Sequence, residues 1–101
     1  MGAGYVGILS VELHFPENHS LKGKRKELLS VKAQLQRRFG AAVAETDHHD
    51  LWQRAELTAA LVGRDITDLG NRASALERFV ISMFPEGAQV GRRLVSREDL
   101  L

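Results

Sequence analysis

Between Tyr5 and Val95 the hydrophobic pattern passes from a two-residue period to a helical period and back, and then does so again. That succession constrains the fold more than any single residue. "YVGILSVEL", Tyr5 to Leu13, places Leu9, Val11 and Leu13 on one face and Ser10 and Glu12 on the other, the pattern of a half-buried strand. Pro16 and Asn18 in "HFPENH" end it, since proline cannot donate to a ladder and asparagine favours turns. Ser20 is a good N-cap for a helix running to about Phe39, with Leu21, Leu28, Val31, Leu35 and Phe39 as its apolar stripe and Gly40 as its stop. A capping box would want Glu or Gln at position 23, where the chain has glycine.

"AAVAET" reads as a second strand, weak in propensity because of its alanines. "QRAELTAALV", Gln53 to Val62, reads as a third, with Ala55, Leu57, Ala59 and Leu61 on one face. The short polar segment between them suggests a hairpin. Asp65 or Thr67 then caps a second helix whose stripe is Leu69, Ala73, Leu76, Val80 and Met83, closed by Pro85 and Gly87. "AQVGRRLV" is a fourth, uneven strand. The order is βαββαβ, so the expected fold is α+β and ferredoxin-like: a two-layer sandwich with a four-stranded antiparallel sheet and both helices on one face. One domain is expected over residues 1–96, with 97–101 as a frayed tail. The open face would carry Val6, Ile8, Ser10, Glu12, Arg54, Glu56 and Thr58.

A chain of 101 residues can build one unaided core. It contains no cysteine, which removes disulfides, thiolate metal sites and cysteine nucleophiles. The N-terminus lacks the basic and apolar regions of a secretory signal, and no apolar run approaches the roughly 20 residues that span a bilayer. A soluble, cytoplasmic protein with no membrane partner is therefore expected. The net charge is only +1, but its distribution is uneven. Lys22, Lys24, Arg25, Lys26, Lys32, Arg37 and Arg38 crowd the first helix against a single acid, Glu27.

Two short matches mislead. "GAGYVG", Gly2 to Gly7, fits the dinucleotide fingerprint by letter, but it runs into a strand instead of linking a strand to a helix. "DHH", Asp47 to His49, is the signature of a family of metal-dependent phosphoesterases that needs further aspartates over a much longer chain.

Topology places the loop after the first strand and the tip of the central hairpin at the same end of the sheet. All four histidines, His14, His19, His48 and His49, gather there. Three readings follow. A metal site would use imidazole and carboxylate ligands, but neighbouring His48 and His49 on extended backbone point apart, and there is no helical histidine pair. Acid–base catalysis would use a histidine beside a carboxylate, but no nucleophile partners it. The third reading is structural: Asp47 and Asp50 turn the hairpin and pair with Lys22, Lys24 or Arg25, while Trp52 covers the end of the core.

"HSLKGKR" followed by "VAETDHHDLWQRAELTAALV" resembles the YlxP-like family of small bacterial proteins, a domain of unknown function. The residues that carry the likeness are Ser20, Leu21, Lys22, Lys24, Arg25, Ala44, Glu45, Asp47, His48, Asp50, Trp52, Gln53, Arg54 and Ala55. The resemblance implies a ferredoxin-like fold, no settled activity, and genes often found among those for translation initiation and ribosome maturation.

Together these give a leading expectation: an accessory protein binding RNA or a ribosomal subunit, with the seven cations of the first helix on phosphates. Asp47, His48, Asp50, Trp52, Gln53 and Arg54 would shape the end of that surface. The middle strands lack the aromatic run of an RNA-recognition platform. The alternatives are a homodimeric interaction module using the open sheet face, and a small metal-dependent hydrolase at the histidine-rich end. No cofactor is expected.

Overall fold

A computed structural model describes residues 3–101. Gly2, the first glycine of "GAGYVG", lies outside them. The elements are β1 (Tyr5–His14), α1 (Leu21–Phe39), β2 (Ala42–Asp47), β3 (Arg54–Gly63), α2 (Ile66–Met83), β4 (Ala88–Ser96) and a short helix α3 (Arg97–Leu100). The strands form one antiparallel sheet in the order β2-β3-β1-β4, the ferredoxin-like arrangement expected from the sequence.

The caps explain where the helices begin and end. The Ser20 hydroxyl accepts the Gly23 N–H at 3.0 Å, and Gly40 closes α1 in the left-handed region at φ 65°. Asp65, not Thr67, caps α2, its carboxylate accepting the N–H groups of Thr67 and Asp68. Arg72 of α2 donates to the carbonyls of Phe39 and Val62, tying the C-terminal end of α1 to the end of β3.

Leu9, Val11 and Leu13 of β1 and Ala55, Leu57, Ala59 and Leu61 of β3 face the helices. They meet Leu28, Val31 and Leu35 of α1 and Leu69, Ala73, Leu76 and Val80 of α2 in one core. Each large side chain buried there contributes about 1.5–3 kcal/mol. The unevenness of β4 has a local cause. Arg92 occupies a core-facing register position between Val90 and Leu94, and its guanidinium reaches Ser74 of α2 at 2.8 Å.

Residues 97–100, expected as part of a frayed tail, form the short helix α3. Ser96 caps α3 by accepting the Glu98 N–H, acids occupy its first turn, and the Arg97 N–H donates to Gly4.

The open face grades from apolar to charged along the strands. Register aligns Val62, Val6 and Val95 at one end, then Ala60, Ile8 and Arg93, then Thr58, Ser10 and Gly91. Glu56, Glu12 and Gln89 follow, and Arg54 and His14 close the other end. No helix among the described residues is long and apolar enough to cross a membrane.

Candidate functional site

Three connections converge at the charged end of the sheet: residues 15–20 after β1, residues 48–53 between β2 and β3, and residues 84–87 between α2 and β4. Sequence reasoning brought the first two together and missed the third. The His14 N–H donates to Gly87 O at 2.7 Å, and a side chain at Gly87 would meet the His14 carbonyl at 2.7 Å. Only glycine allows that approach.

The dominant interaction at this end is a buried lysine. Lys24 is 1% exposed, and its ammonium donates to the carbonyls of His48 at 2.7 Å, Arg54 at 3.1 Å and His49 at 3.4 Å. Glu45 Oε2 lies 3.6 Å away as the counter-ion. A buried ammonium is tolerated only when its protons and charge are met, and here both are. Lys24 therefore holds the β2–β3 connection onto α1. The expectation that it contacts phosphate is corrected: it points inward, at the position that fills the gap in the apolar stripe between Leu21 and Leu28.

Further bonds fasten the same loop. The Asn18 side-chain amide donates to the carbonyls of Trp52 and Ser20. Gln53 Nε2 donates to the carbonyls of Pro16 and Asn18, and the Phe15 N–H donates to Gln53 O at 2.7 Å. Glycine at position 23 now has a reason, because a Cβ there would strike the Asn18 amide. Where a capping box would place a glutamate, this chain leaves room for the asparagine that clamps its hairpin.

The structural roles expected of the hairpin hold in part. Asp47 accepts the His48 N–H at 2.7 Å and so supports the turn, but Asp47 and Asp50 are exposed and Lys24 pairs with Glu45 instead of either. Trp52 does not cover the core; about half of it, 51%, is exposed. Phe15, buried against Phe84 edge-to-face at 5.3 Å, closes that end of the core.

His48 and His49 diverge, though not for the reason the sequence suggests. His48 adopts φ 64°, a left-handed conformation uncommon for a side-chain-bearing residue. Its Nε2 lies 3.3 Å from Glu12 Oε1 over the open face, while His49 Nε2 lies 3.9 Å from Glu45 on the other side. Among the described residues no group of three or more His, Asp or Glu side chains is placed to hold a metal ion.

Of the other cations of α1, Lys22, Arg25, Lys26, Arg37 and Arg38 are exposed and Lys32 is half-buried. Arg38 also stacks on the Phe79 ring at 4.5 Å, which commits it in part to packing against α2. Leu29, 67% exposed, lies among these charges. On the open face, Arg54 lies 3.7 Å from Glu12. Two hollows meet at His14 and Arg54: one of about 450 Å³ reaching Glu12 and Glu86, the other of about 380 Å³ under Leu51 and Trp52.

Fold and site together define a small ferredoxin-like protein with a rigid loop cluster at one end and a basic helix leading away from it. The chain belongs to the family described as Protein of unknown function (DUF503), whose model matches residues 6–90. No match was found among curated proteins. Among solved structures it is similar to the de novo designed protein Foldit4, at 9% identity and TM-score 0.61, covering 93% of this chain and 98% of that one. It is also similar to 30S ribosomal protein S6 from Thermotoga maritima, at 14% identity and TM-score 0.51, covering 95% of this chain and 91% of that one. A designed protein and a ribosomal protein share the fold, so the likeness defines architecture alone.

Proposed function

We propose that this protein is a cytoplasmic accessory protein that binds structured RNA or a ribosomal subunit through the exposed face of α1, in a role close to ribosome maturation or translation. The observation that carries this reading is the helix itself. Over its 19 residues, about 28 Å at 1.5 Å per residue, Lys22, Arg25, Lys26 and Arg37 stand in solvent with only Glu27 to oppose them. Lys32 and Arg38 extend the surface from its margins. Cations spread along such a length match successive phosphates and fix position without reading sequence. The likeness of the motifs to the YlxP-like family supports the same setting, and the fold is compatible with it, since a 30S ribosomal protein also uses it.

Lys24 has a different part in this reading. It fastens the start of α1, where Lys22 stands exposed, to the hairpin loop. Cosedimentation with ribosomal subunits at low and moderate salt tests the proposal, with a Lys22→Glu, Arg25→Glu, Lys26→Glu variant beside the parent. Comigration that falls with salt and is lost in the variant supports it. Comigration retained by the variant contradicts it.

A homodimer through the open sheet face is the second reading, favoured by one observation: Val62 is 69% and Ile8 42% exposed beside Val6 and Val95. Sedimentation velocity across a range of concentrations separates the two. A mass that doubles with concentration and is held at the monomer by Val62→Lys favours the dimer, and a concentration-independent monomer excludes it.

A further inference from the structure

We propose that the hollows meeting at His14 and Arg54 form a binding site for one unpaired nucleobase, stacked on Trp52, with its exocyclic amino group facing the carboxylates of Glu12 and Glu86. This deepens the RNA-binding reading and rests on it.

Four observations lead there. The first is the indole. Trp52 keeps half its surface in solvent although the apolar core lies a few residues away, closed by Phe15 and Phe84. A large aromatic face left outside a core that does not need it is a surface for something flat.

The second is rigidity. The backbone on either side of Trp52 is held by Lys24, Asn18 and Gln53, and Trp52's own carbonyl accepts from Asn18. Little backbone freedom remains to be lost there when a ligand arrives.

The third is the company Trp52 keeps. Arg54 and His14, paired across β3 and β1, present a guanidinium and an imidazole next to the indole. Aromatic rings and arginine planes are the groups on which splayed-out bases stack. Each hollow falls near the lower end of the roughly 300–1,000 Å³ typical of ligand pockets, room enough for a single base.

The fourth is the sign of the charge in the adjoining hollow, which shares His14 and Arg54 with the hollow of Trp52. Glu12, oriented by His48 and Arg54, and Glu86, from the α2–β4 connection, line the larger hollow. Carboxylates there repel a phosphate but accept N–H groups from a base edge, as they do from the cytosine amino group. The phosphates then belong on the other side of the end loops, where Asn18 links the loop of Trp52 to the first turn of α1 and Lys22 stands exposed. Acid at the base edge and basic residues along the backbone suit a single-stranded nucleotide at the end of a structured element.

The probes are short single-stranded RNA oligomers of one base each, adenine, cytosine or uracil. Trp52 is the only tryptophan in the chain, so its fluorescence reports on stacking directly. The expected result is quenching by the adenine and cytosine oligomers, with weaker affinity for uracil, which lacks an amino group. With a labelled oligomer, Trp52→Ala should bind about 5–150-fold more weakly, corresponding to about 1–3 kcal/mol per stacked base. Trp52→Phe should retain most of the affinity, and Glu86→Gln should narrow the gap between cytosine and uracil. Because the indole is half in solvent, Trp52→Ala should fold, which thermal melting checks.

If the oligomers bind in a salt-dependent manner that needs Lys22 and Lys26, while Trp52 fluorescence is unchanged and Trp52→Ala binds as tightly as the parent, the base site is overturned and the basic-helix reading stands. If neither the oligomers nor ribosomal subunits bind, both fall.

Discussion

The ammonium of Lys24 donates to the carbonyl oxygen of His48 at 2.7 Å, although the rest of α1 and the whole of β2 lie between them in the chain. This contact joins the two sequence segments that carry the family likeness, "SLKGKR" and "VAETDHHDLWQRA". They are distant in sequence because one begins α1 and the other turns the hairpin. They are linked in space because a lysine from the first satisfies carbonyls of the second.

Lys24→Ala should therefore destabilise the fold by about 3–5 kcal/mol, since it strands the buried oxygen of Glu45 and leaves three carbonyls short of a donor. Lys22→Ala, on exposed helix, should change stability by no more than about 0.5 kcal/mol. Urea unfolding of the two variants checks this, and similar midpoints would refute the view that Lys24 holds the β2–β3 connection onto α1.

Gly23→Ala sets two effects against each other. Helix propensity alone would favour alanine by about 1 kcal/mol. The new methyl group, however, displaces the Asn18 amide and with it the clamp on Trp52. We expect a net loss of stability in the parent and a net gain in an Asn18→Ala background. The sign reversal is read from the double-mutant cycle, and equal effects in both backgrounds would show that the two residues do not compete.

His48 holds a left-handed backbone that costs a side-chain-bearing residue roughly 1–2 kcal/mol. Both His48→Gly and His48→Ala lose the contact with Glu12, but only glycine relieves the backbone. His48→Gly should be the more stable of the two by about 1 kcal/mol in thermal or chemical unfolding. Equal stabilities would mean that the turn relaxes away from this conformation without cost.

Gly87→Ala should destabilise the end of the sheet, because its Cβ meets a backbone oxygen of β1 that has no flexible way to yield. Amide exchange of His14, whose N–H donates to Gly87, should accelerate relative to the centre of β1. Unchanged protection at His14 would contradict the close approach.

The fold was legible because period and caps agree: alternation marked β1 and β3, and Ser20, Gly40 and Asp65 marked helix ends by side-chain chemistry. The site was less so. Lys24 reads as one more cation of a basic block, and only its place in the 21, 24, 28, 31, 35 spacing of the apolar stripe hints that it turns inward. Trp52 invited the role of core lid because tryptophan is usually buried, but polar bonds already fix its loop and Phe15 already closes the core. Glu86 and Gly87 were out of reach, since no local pattern shows that the α2–β4 connection returns to His14. The helical turn after Ser96 did carry a signal, in a serine followed by Glu98 and Asp99.

The central claim, that the exposed cations of α1 engage RNA phosphates, is tested most directly by the salt dependence of subunit binding, measured for the parent and for the Lys22→Glu, Arg25→Glu, Lys26→Glu variant. The parent should lose affinity linearly on a log–log plot with a slope of several units, and removing contacts should flatten the slope by nearly one unit for each phosphate released. Parent binding indifferent to salt, or a variant with the parent's slope and affinity, would contradict it.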